Sequence, residues 1–174
     1  DFTSTTGDDY LISYDGSDIE INGSAIFESG LTFDNSTDTY TQFVGTGPHT
    51  ITSNGASIDT ILFINSGSYT LLDDLEIVTE MMVYNSVTLD ANDFDVTAPD
   101  INIYNTATIY MGSGTWEITG GGINVWYAAN TVNLFSETST IKYTDSTSDI
   151  KTFYGWGHTY ESLLALAHIV LVHI

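Results

Sequence analysis

The sequence predicts an all-β fold, a single-stranded parallel β-helix (β-solenoid) with coils of about twenty residues, on three observations. Short apolar segments with period-two alternation recur along the chain. Asn65, Asn85 and Asn105 are separated by one constant interval of 20 residues. Ser, Thr, Asn, Asp and Gly dominate the polar positions, and these residues suit turns and strand surfaces while forming helices poorly.

The elements appear when the chain is cut into rows. The first of the regular rows reads Ile61-Leu62-Phe63-Ile64-Asn65, then Tyr69-Thr70-Leu71, then Leu75-Glu76-Ile77. The second reads Met81-Met82-Val83-Tyr84-Asn85, Val87-Thr88-Leu89 and Phe94-Asp95-Val96. The third reads Ile101-Asn102-Ile103-Tyr104-Asn105, Ala107-Thr108-Ile109 and Trp116-Glu117-Ile118. A looser fourth reads Ile123-Asn124-Val125-Trp126-Tyr127, Val132-Asn133-Leu134 and Ile141-Lys142-Tyr143. An earlier segment, Ile19-Glu20-Ile21-Asn22, Ala25-Ile26-Phe27 and Leu31-Thr32-Phe33, fits the same template.

Each row is expected to hold three short strands whose alternate side chains face inward. One row cannot bury its own apolar face, but stacked rows can, with Phe63, Val83 and Ile103 above one another. About eight such coils would make a rod on the order of 40 Å long. Domain limits follow: residues 1–45 form an irregular β segment or first coils, 46–162 the regular repeats, and 163–174 an apolar segment that docks on a coil or a partner. The chain begins at Asp1 rather than Met, which reads as a processed product or an excerpt of something longer.

Charge bounds the partners. There are 23 Asp and Glu against two basic residues, Lys142 and Lys151, for a formal net charge of −21. Such a surface repels nucleic acid and anionic headgroups, because it has no spare cations to release phosphate counterions. No apolar run reaches membrane-spanning length. Cysteine is absent, which excludes a disulfide scaffold and a thiolate metal site.

The run Gly47-Pro48-His49-Thr50-Ile51-Thr52-Ser53-Asn54-Gly55, with Ile64-Asn65-Ser66-Gly67 and Thr70-Leu71-Leu72-Asp73-Asp74-Leu75-Glu76-Ile77, resembles the β-solenoid repeat of bacterial surface and adhesin-like proteins. Gly112-Ser113-Gly114-Thr115-Trp116-Glu117-Ile118 is similar to repeats of phage tail and virion appendage proteins. So are Ser139-Thr140-Ile141-Lys142-Tyr143-Thr144-Asp145 and Lys151-Thr152-Phe153-Tyr154-Gly155-Trp156-Gly157-His158-Thr159-Tyr160. The resemblance spans roughly residues 45–162 and implies architecture, not a catalytic set.

Parallel β-helices include enzymes that cut polysaccharides, so catalytic groups bear on the reading. Carboxylate pairs for glycoside hydrolysis exist at Asp93 with Asp95, Asp18 with Glu20 and Asp73 with Asp74, but a chain this acidic produces such pairs by chance. His49, His158, His168 and His173 form no metal-ligand spacing, and no nucleophile motif is present. No catalytic residue and no cofactor are expected. Calcium is the ion that the oxygen clusters would take, with Asp90, Asn92 and Asp93 as candidate ligands and Asp145 to Asp149 as a second cluster.

Alternation places Ile64, Tyr84, Tyr104 and Trp126 in one outward column, beside Leu62, Met82, Asn102 and Asn124. This aromatic ladder is the candidate binding surface, for a neighbouring subunit first and a cell-surface glycan second. Tyr154, Trp156 and Tyr160 form a second cluster. Asn65, Asn85 and Asn105 are read as an inward structural column at one corner, bonded to one another or to turn backbone. The expected function is a non-catalytic structural and adhesive surface protein, a segment of a phage tail fibre or virion appendage that assembles as a homo-oligomer or fibre. The alternatives are a bacterial extracellular adhesin or filament subunit and, behind it, a polysaccharide-degrading tailspike segment. The expected location is extracellular, on a virion or bacterial surface.

Overall fold

The computed structural model describes residues 2–3, 11–13, 18–34, 40–145, 150–165 and 169–172; for 2–3, 11–13, 32–34, 165 and 169–172 it describes the backbone alone. The chain is all-β: among the described residues there is no helix, and every strand pairing is parallel. No helix among the described residues is therefore long and apolar enough to cross a membrane.

The strands gather into two sheets. One has seven strands in the spatial order Phe2–Thr3, Ala25–Ile26, Pro48–Thr52, Ser68–Leu71, Thr88–Asp90, Thr108–Tyr110 and Asn133–Phe135. The other has 14 strands and folds into two faces. The faces meet on the long strands Ser57–Phe63 and Leu75–Val83, whose mutual register breaks between Ile77 and Glu80. Leu75 and Glu76 pair with Val96 and Thr97 on one face, and Glu80 to Val83 pair with Asp100 to Ile103 on the other. Parallel neighbours require a returning connection, and between Ser57–Phe63 and Leu75–Val83 that connection contains Ser68–Leu71, a strand of the other sheet.

Register follows the apolar pattern. Ile19, Thr41, Ile61, Met81 and Ile101 form one column, with Ile21, Phe43, Phe63, Val83 and Ile103 beside it. Ile21, Phe43, Ile61, Phe63, Met81, Val83, Ile101 and Ile103 are buried in one contiguous core, and Thr41 is buried as well. A one-residue slip would turn every one of them to water, so burial of alternate positions fixes the register. Phe43 stacks on Phe63 at 5.0 Å, and Tyr69 closes edge-on against Phe43 at 5.5 Å. The Tyr69 hydroxyl donates to the Gly45 carbonyl at 3.0 Å, and burial pushes that phenol up to about 12. Gly67 must be glycine because a Cβ there would lie 2.2 Å from the Gly45 carbonyl oxygen.

Row register is offset by two residues from the sequence reading in two places. The strand expected at Tyr69-Thr70-Leu71 pairs Tyr69 with Leu89, and the strand expected at Phe94-Asp95-Val96 pairs Val96 with Trp116. Both offsets are two residues, which preserves the inward face and so leaves no trace in the alternation. The apolar end segment continues the stack: Ser162–Ala165 pairs with Thr140–Tyr143, and Ile169–Val172 pairs with Lys151–Tyr154.

Candidate interaction surface

The largest correction concerns the fourth row. Trp126 is expected outward above Tyr104, yet it pairs with Ile101 and is fully buried. Tyr127 pairs with Asn102, and Ala128 with Ile103. The register shifts again between Asn124 and Trp126 against the next row, and both Val125 and Trp126 point into the core. Ile123, expected inward, is 69% exposed. Gly120-Gly121-Gly122 precedes this strand and carries no side chains to set a phase, so the heaviest side chain decides it. Trp126 stacks on Phe153 at 5.4 Å, meets Trp116 edge-on at 6.2 Å, and donates its indole N–H to the Tyr160 hydroxyl at 3.1 Å. Tyr160 thereby belongs with the core aromatics and not with an outer cluster; its phenol is pushed up to about 12 by burial.

An outward ladder exists along another path. Backbone bonds to the preceding rows set Ile64, Tyr84, Tyr104 and Ala129 in one column. Gln42, Leu62, Met82, Asn102, Tyr127 and Tyr154 form the column beside it. Tyr84 and Tyr104 stack at 4.6 Å and 13°. Where the first column reaches Ala129, the aromatic contact crosses to the second, with Tyr127 lying 5.2 Å from Tyr104. Tyr127 then meets Tyr154 at 6.0 Å and Trp156 at 6.4 Å. Trp156 holds a left-handed backbone with φ of 41°, and its indole N–H is buried without a partner.

Stacking governs what this ladder offers. The faces of Tyr84 and Tyr104 close on one another, so a sugar ring cannot lie on the faces between them. Both rings are half-buried, and the Tyr84 hydroxyl lies 3.8 Å from Met82 Sδ. Burial, with the Glu80 carboxylate and the neighbouring phenols, pushes the Tyr104 phenol up to about 12 and raises that of Tyr84. Both hydroxyls therefore remain donors near neutral pH.

Below Tyr84 the column holds Ile64, not another aromatic. A cavity of about 340 Å³ opens there, lined by Tyr40, Leu62, Ile64, Met82, Tyr84 and Asn85. Tyr40 is the residue that the sequence reading missed. It precedes the strand Thr41–Phe43, a row whose alternation Tyr40-Thr41-Gln42-Phe43 repeats the template one period before Thr60-Ile61-Leu62-Phe63.

The asparagine corner is exposed, not inward. Asn65, Asn85 and Asn105 have φ of 74°, 58° and 57°, the left-handed region that asparagine tolerates. Asn105 Nδ2 donates to Asn85 Oδ1 at 3.2 Å, and Asn65 Nδ2 donates to the Val44 carbonyl at 3.0 Å. A second corner uses the same device: Asn92 and Asp93 have φ of 51° and 69°, and Gly112 one of 69°.

The candidate calcium ligands are engaged in these turns. Asp90 accepts the Asn92 N–H at 2.9 Å, Asn92 Nδ2 donates to the Leu71 carbonyl at 3.1 Å, and Asp93 accepts the Ser113 N–H at 2.8 Å. Among the described residues no group of three histidines or acids is placed to hold a metal. Residues 146–149, His168 and His173 lie outside the described residues.

Many acids serve backbone groups of a neighbouring row. Asp73 accepts the N–H groups of Ser53 and Asn54, both at 2.6 Å. Asp74 accepts the Asp95 N–H at 2.9 Å, and Asp95 in turn accepts that of Thr115 at 2.6 Å. Asp18 accepts the Tyr40 N–H at 2.9 Å and bonds the Gln42 amide. The two lysines are also committed. Lys142 pairs with Glu117 at 3.1 Å, while Lys151, fully buried, pairs with Asp145 at 3.3 Å and donates to the Gly121 carbonyl.

Compared with protein-family models, curated proteins and solved structures, the chain matches none.

Proposed function

We propose that the rows close into a single parallel β-helix and that the protein is a non-catalytic structural and adhesive surface protein, a segment of a phage tail fibre or virion appendage. The observation that carries this reading is the tyrosine ladder, which places Tyr84, Tyr104, Tyr127 and Tyr154 of four successive rows on one outer face. Repetition of one chemistry along a stiff stack converts weak contacts into avidity. The acids support the same reading, because those bonded to backbone N–H groups hold adjacent rows together instead of facing one another across a cleft. The ladder's hydroxyls and ring edges suit packing against another subunit better than stacking on a glycan.

Electron microscopy of the native particle, with this chain located in the density, tests the proposal. A projecting fibre on a virion is the expected result. A repeated subunit along a cellular filament would transfer the reading to a bacterial extracellular adhesin. Turnover of a surface glycan by the isolated chain would overturn the non-catalytic assignment.

A further inference from the structure

The cavity at the lower end of the ladder has walls and charge that select one kind of occupant. Tyr104 covers the upper face of Tyr84, which leaves its lower face toward the cavity above Ile64. Tyr40 supplies a second aromatic wall, and Leu62, Ile64 and Met82 the apolar lining. The Glu80 carboxylate stands near enough to raise the Tyr84 phenol, and Tyr40 acts on it in the same direction. Glu80 shares the outer face of its strand with Met82 and accepts from the Asn102 amide at 2.5 Å. The chain has no arginine, and its two lysines are held in ion pairs elsewhere, so neither lysine supplies a cation to this slot.

We propose that this cavity is a cation-binding slot that receives a lysine or arginine side chain of a partner protein. Aromatic faces attract a cation through the ring quadrupole, and the apolar lining takes the methylene stem. The net charge of −21 steers basic partners toward the surface, while the tyrosine walls give the slot a selectivity that diffuse charge lacks. The volume, about 340 Å³, is enough to take one long side chain. The slot is a property of the fold and does not depend on whether the rod belongs to an appendage.

The test uses the full chain and two small probes, N-acetyl-trimethyllysine amide and its uncharged carbon isostere, followed by NMR titration. The charged probe should bind about tenfold or more tightly than the isostere and shift the Tyr40 and Tyr84 ring signals. Tyr40→Leu should weaken it about fivefold or more, and Tyr84→Leu, which removes the other aromatic wall, should do the same. Equal binding of the two probes would show a merely apolar slot and overturn the proposal. Binding that survives both substitutions and vanishes at about 0.5 M salt would assign it to the acidic surface as a whole and overturn the proposal equally. Saturable binding of a neutral oligosaccharide at Tyr40 and Tyr84, without binding of the charged probe, would give the slot to a glycan.

Discussion

Asn105 donates from Nδ2 to Oδ1 of Asn85 one row away, at 3.2 Å, and both residues hold left-handed backbones, with φ of 57° and 58°. Conformation and side-chain bonding make separate demands here, and two substitutions separate them. Asn85→Ala loses the bond and strains the backbone, at an expected cost of about 1–2 kcal/mol. Asn85→Gly loses only the bond, so its cost should be about half as large or less. Urea denaturation of both variants reads the difference. If alanine and glycine cost the same, the left-handed backbone is not what keeps asparagine at this corner.

Trp126 joins the aromatic core through Phe153, Trp116 and the Tyr160 hydroxyl. Trp126→Ala should lower stability by about 3–5 kcal/mol. A residue on the outer face would lose well under half of that. Near-ultraviolet circular dichroism should also lose intensity, since three aromatic partners change surroundings together. A variant that unfolds at the wild-type midpoint would restore Trp126 to the surface.

These two positions show why part of the molecule was legible in sequence and part was not. The corner at Asn65, Asn85 and Asn105 repeats at a constant interval, so its existence is visible without coordinates, whereas its exposure and left-handed backbone are not. The all-β character and the inward column of Phe63, Val83 and Ile103 are equally local, because each follows from alternation. The rows from Ile101 to Trp126 and from Trp126 to Phe153 are longer, 25 and 27 residues against 20 from Met81 to Ile101, and the added residues fall in glycine-rich or polar segments with no phase. Two-residue offsets are silent and three-residue ones invert the face, which is how Tyr127 came to occupy the outside in place of Trp126. Tyr40 required knowing which row lies beneath Tyr84, a relation between distant residues that no local pattern carries.

Asp73 accepts two backbone N–H groups from the neighbouring row, one on each oxygen. Asp73→Asn replaces one acceptor oxygen with a donor aimed at an N–H, and it removes the charge assistance from both bonds. The expected loss is about 1–3 kcal/mol, larger than for an acid on a solvated strand face such as Glu76→Gln. Thermal unfolding of the two variants compares them directly. Equal and negligible effects would mean that the acids of the turns are solvated decoration.

Asp100 carries the clearest pH dependence. Burial raises its pKa from 3.8 to about 6, the adjacent Glu80 carboxylate adds to the rise, and the buried Lys151 ammonium opposes it more weakly. Its Oδ1 is buried without a hydrogen-bond partner. The folded pKa lies above the unfolded one, so the folded state favours the proton. The ionised carboxylate therefore costs stability above about pH 6, and that cost is relieved as the pH falls from about 6 toward 3.8. Asp100→Asn should accordingly be more stable than the parent at pH 8, by about 1–2 kcal/mol after allowance for partial exposure. The gap should close by pH 4. Parallel unfolding curves whose separation stays constant across that range would rule out Asp100 as the titrating group.

Tyr104 is covered by Tyr84 on one side and approached by Tyr127 on the other, at 4.6 and 5.2 Å. Each aromatic pair contributes about 0.5–1.5 kcal/mol beyond area burial, so Tyr104→Leu should cost about 1–3 kcal/mol. Tyr110→Leu, which breaks the exposed stack with Phe135, removes one pair and should cost less. Tyr104→Phe keeps the ring contacts and should retain most of the stability while removing the phenol. Its absorbance titration at high pH should therefore lose one late-ionising group, because the Tyr104 hydroxyl is pushed up to about 12 by burial and the charges beside it. An unchanged titration in Tyr104→Phe, with full stability in Tyr104→Leu, would mean that the rings do not stack in solution and that the ladder is not a rigid surface.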